Sequence, residues 1–457
     1  MTTGGGTGAA RALTLWALAL FAAAAPLLPT NSLKADATLL AAVLLAVAFY
    51  LRARLGSGVG RSAVDLPALT FLAVAVLSTI FSVVPLVSFV PSARMGEGLL
   101  VYAGYVAVLL AAARLGRGER DLLLTVILFS GAVIGAVGVA QFFGLDPVAW
   151  FGFRFVPQAV FYGLTPPPGA GGPFFGKATF STLGNPIFFG GYAAALLPMA
   201  LRRALTARGW RVWPSGAATV LLVGGLMAAQ SRAAWGASIA GIVLLLVLWP
   251  RRRWQWRRLV LLAAVGALLA VVMVQSQEAA FAQRVGTIAS GNDSSMRFRL
   301  YLWKHTIPMV LQRPLLGWGF STLLGRFADL GSAEYFRLFG YIAIGIDTPH
   351  NDLLHIAYST GLLGLAAYLW IWLTLVRSLA RARATGGEWA AEAAALIASL
   401  AGYFLWAQTA WLHVGPAHLF WTFGALAVAV GREAAGRPAA AFEPVRGVPL
   451  AIGSLER

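Results

Sequence analysis

The sequence contains no cysteine, and only 11% of its residues are charged. The first absence excludes disulfides and thiolate metal sites and leaves the redox compartment unread. The second excludes a soluble globular chain, which would carry roughly 25% charged residues. Acid is the scarcer sign, with 17 Asp and Glu against 35 Lys and Arg. The run Gly4-Gly5-Gly6-Thr7-Gly8 is not a phosphate loop, because no Lys-Ser/Thr follows it and no strand precedes it. No serine-hydrolase elbow or zincin pattern occurs. His350 and His355 stand five apart, as do His413 and His418 around Pro416, a poor spacing for metal ligands. No metal and no cofactor are expected, and no internal repeat or heptad is visible.

What is present is apolar. Of 457 residues 59% are hydrophobic, and the mean hydropathy is +0.75. A spanning helix needs about 20 mostly apolar residues. Segments of that kind are Arg11–Pro29, Asp36–Leu51, Leu66–Val87, Gly98–Ala113 and Leu122–Phe143. A long loop follows, then Asn185–Leu201, Gly216–Gln230, Ala233–Trp249 and Leu259–Ser276. A second long loop leads to Leu353–Val376, Ala390–Trp411 and Ala417–Gly431. The first segment has no convincing cleavage motif and is read as a retained helix.

The expected fold is therefore an all-α polytopic membrane protein of about twelve transmembrane helices. Spans one to five occupy residues 1–143, a first outward loop 144–184, and spans six to nine 185–276. A large outward loop covers 277–350, spans ten to twelve 351–435, and a loose tail 436–457. Most of the basic residues fall in alternate loops, among them Arg52, Arg114, Arg120, Arg202, Arg258, Arg381 and Arg432. The short loops opposite hold only Lys34, Arg94 and Arg232. Positive charge marks the cytoplasmic side, so both termini are expected inside and both long loops outside. The net charge of +18 is then a matter of topology and lipid phosphates, not of nucleic acid.

Thr348-Pro349-His350-Asn351-Asp352 opens an apolar span, and titratable groups at a bilayer boundary need a purpose or partners. Asp352 beside the helix start is expected to be its cap. Upstream, Met296, Leu300, Trp303, Ile307 and Val310/Leu311 form one helical stripe bordered by Arg299, with Arg297 and Lys304 on the other flank. Such a helix can lie on the outer leaflet. Pro314-Leu315-Leu316-Gly317-Trp318-Gly319 reads as a turn of close backbone packing. Arg232 is the only charge between Arg211 and Arg251; it either snorkels or serves an anion. Arg154 and Lys177, in an aromatic-rich first loop, can meet an anionic headgroup. Arginine suits a diphosphate through its planar fork, and histidine suits proton removal from a hydroxyl.

Gly184-Asn185-Pro186, Gln230-Ser231-Arg232, Arg299-Leu300-Tyr301-Leu302-Trp303, the Pro314–Gly319 turn, Pro349-His350-Asn351-Asp352-Leu353-Leu354 and Gly361-Leu362-Leu363-Gly364 follow in order. This series resembles the O-antigen ligase/polymerase superfamily of Wzy_C-like membrane glycosyltransferases, over roughly Gly184 to Leu369. The resemblance implies a GT-C-like, metal-independent, inverting enzyme of the bacterial cytoplasmic membrane. It would take a glycan from a polyprenyl (undecaprenyl) diphosphate carrier to a glycan, lipid or polymer acceptor, in lipopolysaccharide or cell-surface polysaccharide biosynthesis. Arg232 and Arg299 would then hold the diphosphate, with Arg297 as the alternative to Arg299. His350 would act as base or orient the acceptor, and Asn351 would fix the loop or bind sugar. Asn185, Asp352, Arg154 and Lys177 complete the expected substrate-binding set. A polysaccharide polymerase of the same superfamily fits almost as well as a ligase. A secondary transporter or lipid flippase fits the helix number, but predicts internal repeats and mid-membrane charges.

Overall fold

The structure is a computed structural model that describes residues 3–55, 60–92, 96–150, 178–250, 255–278, 281–282, 286, 294–329, 346–410 and 414–436. Helix α1 (Thr3–Ala19) continues through a π-turn (Leu20–Ala24) and a 3-10 turn (Ala25–Leu27) that ends at Leu28. Then come α2 (Asn31–Arg54), α3 (Asp65–Ile80), α4 (Pro85–Phe89), α5 (Leu99–Ala112), α6 (Arg117–Phe142) and the short α7 (Pro147–Trp150). Beyond the first long loop lie α8 (Pro186–Thr206), α9 (Val212–Ala229), α10 (Arg232–Leu248) and α11 (Trp256–Ser276). The second long loop contributes α12 (Ser294–Gln312) and α13 (Leu323–Asp329), and the chain closes with α14 (Asp352–Ala384), α15 (Gly387–Ala407) and α16 (Val414–Ala434).

Each expected span overlaps a helix. Among the described residues, eight helices are long and apolar enough to cross a membrane, so the chain is a multi-pass membrane protein. Helices α3, α5 and α10 are apolar but shorter. The expected span Leu66–Val87 is divided: α3 stops at Ile80, and Pro85, which cannot continue a helix ladder, starts the separate α4. Lys34 is not in a loop either. It lies in the first turn of α2, fully buried, and its ammonium donates to the carbonyls of Leu28 (2.5 Å) and Thr182 (2.9 Å).

The burial follows the sequence pattern. Helix α16 is apolar all round and its spanning window is wholly enclosed, packed against α14 and α5. Helix α11 fully buries only Gly266 and Met273, rests Leu259, Leu262 and Leu269 partly on the core, and leaves most of its other side chains exposed. At one end of the bundle the arginines are paired. Arg114 meets Asp65 (2.7 Å), Arg203 meets Asp121 (2.7 Å), Arg11 meets Glu119 (2.6 Å) and Arg120 meets Glu433 (2.9 Å).

At the other end the second long loop is locked into a broken helix. Gly361, inside α14, has φ 70° and ψ −175°, a conformation open essentially to glycine alone. The break frees the Tyr358 and Ser359 carbonyls, which accept from the backbone N–H groups of Trp318 and Gly319, both at 2.9 Å. The Leu362 N–H returns to Pro314 O at 2.7 Å. A Cβ on Gly361 would lie 2.2 Å from Leu315 O, and one on Gly317 2.4 Å from Tyr358 O. The two glycine-bearing motifs are thus one device: the Pro314–Gly319 turn supplies the hydrogen bonds that α14 lacks. Ser78, at the end of α3, adds its hydroxyl to Ser359 O at 2.6 Å.

Candidate functional site

The loop into α14 is shaped by its own polar side chains. Asn351, not Asp352, is the N-cap: its Oδ1 accepts from Leu354 N–H at 3.0 Å. Asp352 therefore enters the helix as its first residue. It is 2% exposed, and accepts the Tyr368 hydroxyl at 2.9 Å, a partner that helical spacing alone could not indicate. His350 has φ 51°, a left-handed conformation uncommon outside glycine. The preceding carbonyl, Pro349 O, accepts Trp303 Nε1 at 3.0 Å, and the Phe298 ring stands edge-on to the His350 imidazole at 5.7 Å. Both partners come from α12, so the loop helix and the entrance to α14 form one unit.

Arg299 also belongs to that unit. Its Nε donates to Thr409 O at 2.9 Å and one terminal nitrogen to Ser295 Oγ at 2.7 Å. Asn351 Nδ2 donates to the neighbouring Gln408 O at 3.2 Å. Burial, and after it the Arg299 charge, push the His350 pKa from 6.5 down to about 3, which leaves a neutral imidazole beside a cation. Arg297, two residues earlier, is exposed. Of the two alternatives, Arg299 is the one that bears on His350.

Arg232 is the first residue of α10, half-buried, after Gln230 in a left-handed conformation (φ 47°) and the N-cap Ser231. This turn packs on α8: a Cβ on Gly190 would lie 2.7 Å from Ala234 Cβ and 3.1 Å from Ser231 Cβ. Asn185 caps α8, accepting from Ile187 N–H at 2.8 Å, and Ile187 O accepts Trp406 Nε1 at 3.0 Å. Arg232 is thus reached from Thr409 by way of Trp406, Ile187 and Gly190, at the same end of the bundle. Arg154 and Lys177 lie outside the described residues, as do Arg94, His413 and the tail after residue 436.

The stripe expected to face the outer leaflet is mostly turned away from the protein. Met296, Leu300, Ile307 and Leu311 are exposed, whereas Tyr301, Leu302, Met309 and, of the stripe itself, Val310 are buried. The helix is apolar on both sides, so periodicity could not separate them. Between α12 and the start of α14 runs a groove of about 370 Å³, lined by Trp303, Ile307, Val310, Leu353, Leu354 and Ala357 among others, with Asn351 its polar lining residue. Residues that the sequence did not mark also converge here. Glu97, just before α5, lies 2.5 Å from His355 Nε2, and both are buried. The one signal for it in the sequence is an isolated acid at the mouth of an apolar segment.

Residues 217–369 match the family described as O-antigen ligase, Wzy_C. The matched stretch runs from α9 into α14 and takes in Arg232, Arg299, His350, Asn351 and Gly361. No curated protein matches the chain. Over that stretch the chain is similar to the O-antigen ligase family, and its bundle of apolar helices makes it a multi-pass membrane protein.

Proposed function

We propose that this protein is a membrane glycosyltransferase that moves a glycan from a polyprenyl diphosphate carrier to an acceptor hydroxyl, in the manner of an O-antigen ligase. The reaction takes place at the His350 end of the bundle, on the outer face of the bacterial cytoplasmic membrane, with both termini inside. The observation that carries this reading is the placing of the left-handed His350 beside Asn351, which caps α14, hydrogen-bonds to the same turn after α15 as Arg299 and lines an apolar groove. A cation at one end and hydrocarbon along the rest suit an anionic head on a lipid chain. From Trp303 to Leu311 the helix rises about 12 Å, room for the first few isoprene units.

In this mechanism Arg299 and Arg232 hold the diphosphate, with Arg297 available at the rim. The acceptor oxygen attacks the anomeric carbon, the carbon–oxygen bond to phosphate breaks, and its electron pair leaves with the diphosphate. A single displacement inverts the anomeric centre, and no residue need form a covalent intermediate. Guanidinium groups fixed before the donor arrives stabilise the charge that develops on the leaving group, usually the largest contribution to such catalysis. His350 orients the hydroxyl and accepts its proton. Before the donor binds the ring is a weak base, but a bound diphosphate offsets the Arg299 charge and raises its basicity when it is needed. Asn351 holds the bend; Asn185, Asp352, Arg154 and Lys177 support the glycan or headgroup.

The test is reconstitution in proteoliposomes with the lipid-linked oligosaccharide pool and envelope glycolipids of the source cell. Transfer in His350→Ala should fall to a small residual rate at unchanged protein level. Wild-type transfer in that variant would remove the proposal, and substrate translocation without a new glycosidic bond would favour a transporter.

A further inference from the structure

Glu97 sits between two constrained glycines. Gly96 has φ 62°, and a Cβ on Gly98 would lie 2.4 Å from Val90 O. The carboxylate so placed is 4% exposed in a largely apolar bundle, where a buried acid persists only with partners. Those partners come from three elements. His355 Nε2 of α14 lies 2.5 Å from Oε1, the Tyr102 hydroxyl of α5 donates to the same oxygen at 3.2 Å, and the Ser321 hydroxyl of the second long loop donates to Oε2 at 3.5 Å. Tyr102 is itself held by stacking on Phe320, with ring centroids 4.3 Å apart.

His355 is 1% exposed, and among the described residues its Nδ1 has no hydrogen-bond partner. Glu97 therefore sets which ring nitrogen carries the bonded proton and how the ring is turned. The backbone N–H of His355 donates to Asn351 O at 2.8 Å, which closes the first turn of α14 directly behind the His350 bend. Asp352 occupies the same turn and is held separately by Tyr368.

We infer that Glu97 is a positioning residue for transfer: by fixing His355 it holds the first turn of α14, and with it the left-handed His350. This rests on the proposed function. The carboxylate is not expected to touch the donor, so its removal should act on the chemical step and not on donor binding.

The experiment is a double-mutant cycle in proteoliposomes with the lipid-linked oligosaccharide pool of the source cell. Glu97→Gln should lower kcat about tenfold or more, with donor KM within about twofold and the melting temperature within a few degrees of wild type. Tyr102→Phe keeps the stacking ring and removes one bond to Oε1. It should lower kcat severalfold, and it serves as the probe if Glu97→Gln does not fold. The deciding arm is the His350→Ala background, where residual transfer should fall no further on adding Glu97→Gln or Tyr102→Phe. Losses that multiply there would overturn the inference, as would unchanged kcat in both single variants. If His350→Ala alone transfers at the wild-type rate, the functional reading itself has failed, a result the single variants cannot imitate.

Discussion

Arg299 and Asn351 are bound to consecutive carbonyls of one turn, Arg299 Nε to Thr409 O at 2.9 Å and Asn351 Nδ2 to Gln408 O at 3.2 Å. The turn that follows α15 therefore sets how far a loop-borne cation stands from the cap of α14. His350 belongs to this arrangement through its neighbour Asn351 and through the charge of Arg299.

Replacing the cation should act on chemistry more than on folding. Arg299→Ala is expected to lower kcat about 10²–10³-fold, the range for loss of one preorganised donor. Arg299→Lys should recover only part of it, because an ammonium lacks the two-pronged fork. Full recovery by lysine in the proteoliposome assay would contradict a bidentate grip on the diphosphate.

The pH dependence follows from the half-buried His350 imidazole. Its folded pKa, about 3, lies below the ordinary 6.5, so between those values the unfolded chain binds the extra proton. The stability it contributes is complete above pH 6.5 and declines as pH falls toward 3. In catalysis, kcat/KM reports the free enzyme and kcat the donor complex. Bound diphosphate raises the ring's basicity, so the acid limb of kcat should lie at higher pH than that of kcat/KM. Coincident limbs would show that the donor does not approach His350.

The groove should recognise hydrocarbon. Ala357 lines it and is 4% exposed, so Ala357→Trp fills it from within. Affinity for undecaprenyl diphosphate should drop roughly tenfold, while inorganic diphosphate, which has no chain, binds as before. Equal loss for both ligands, measured by calorimetry in detergent, would place the lipid elsewhere.

Gly361→Ala tests the interrupted helix. A side chain there must adopt φ near 70° and collide with Leu315 O. A cost of order 1–3 kcal/mol is expected from the backbone conformation alone. It should appear as a lower melting temperature and as easier proteolysis between Gln312 and Leu323. A variant as stable as wild type would mean that the turn does not depend on this geometry.

The helices are legible in the sequence because an apolar run of spanning length has little else to become, and every expected segment overlaps one. The Leu66–Val87 segment misleads because composition does not register where α3 stops and Pro85 opens α4. Of the site, Arg232, Arg299 and His350 stand out as isolated polar residues at boundaries. The partnership of Glu97 with His355 does not, because it joins positions far apart in the chain through a fold that no local pattern encodes. From sequence Asn351 reads as a loop or sugar contact and Asp352 as the cap; one residue of register separates the roles, a difference settled by hydrogen bonding.

The interruption at Gly361 also bears on biogenesis. Hydrocarbon offers no donors for the Tyr358 and Ser359 carbonyls, so α14 cannot settle in lipid as an independent rod. Residues 314–319 leave the ribosome before the helix that needs them. Membrane integration of α14 and closure of the preceding loop are in consequence a single event, and a chain shortened across that loop would leave the helix stranded.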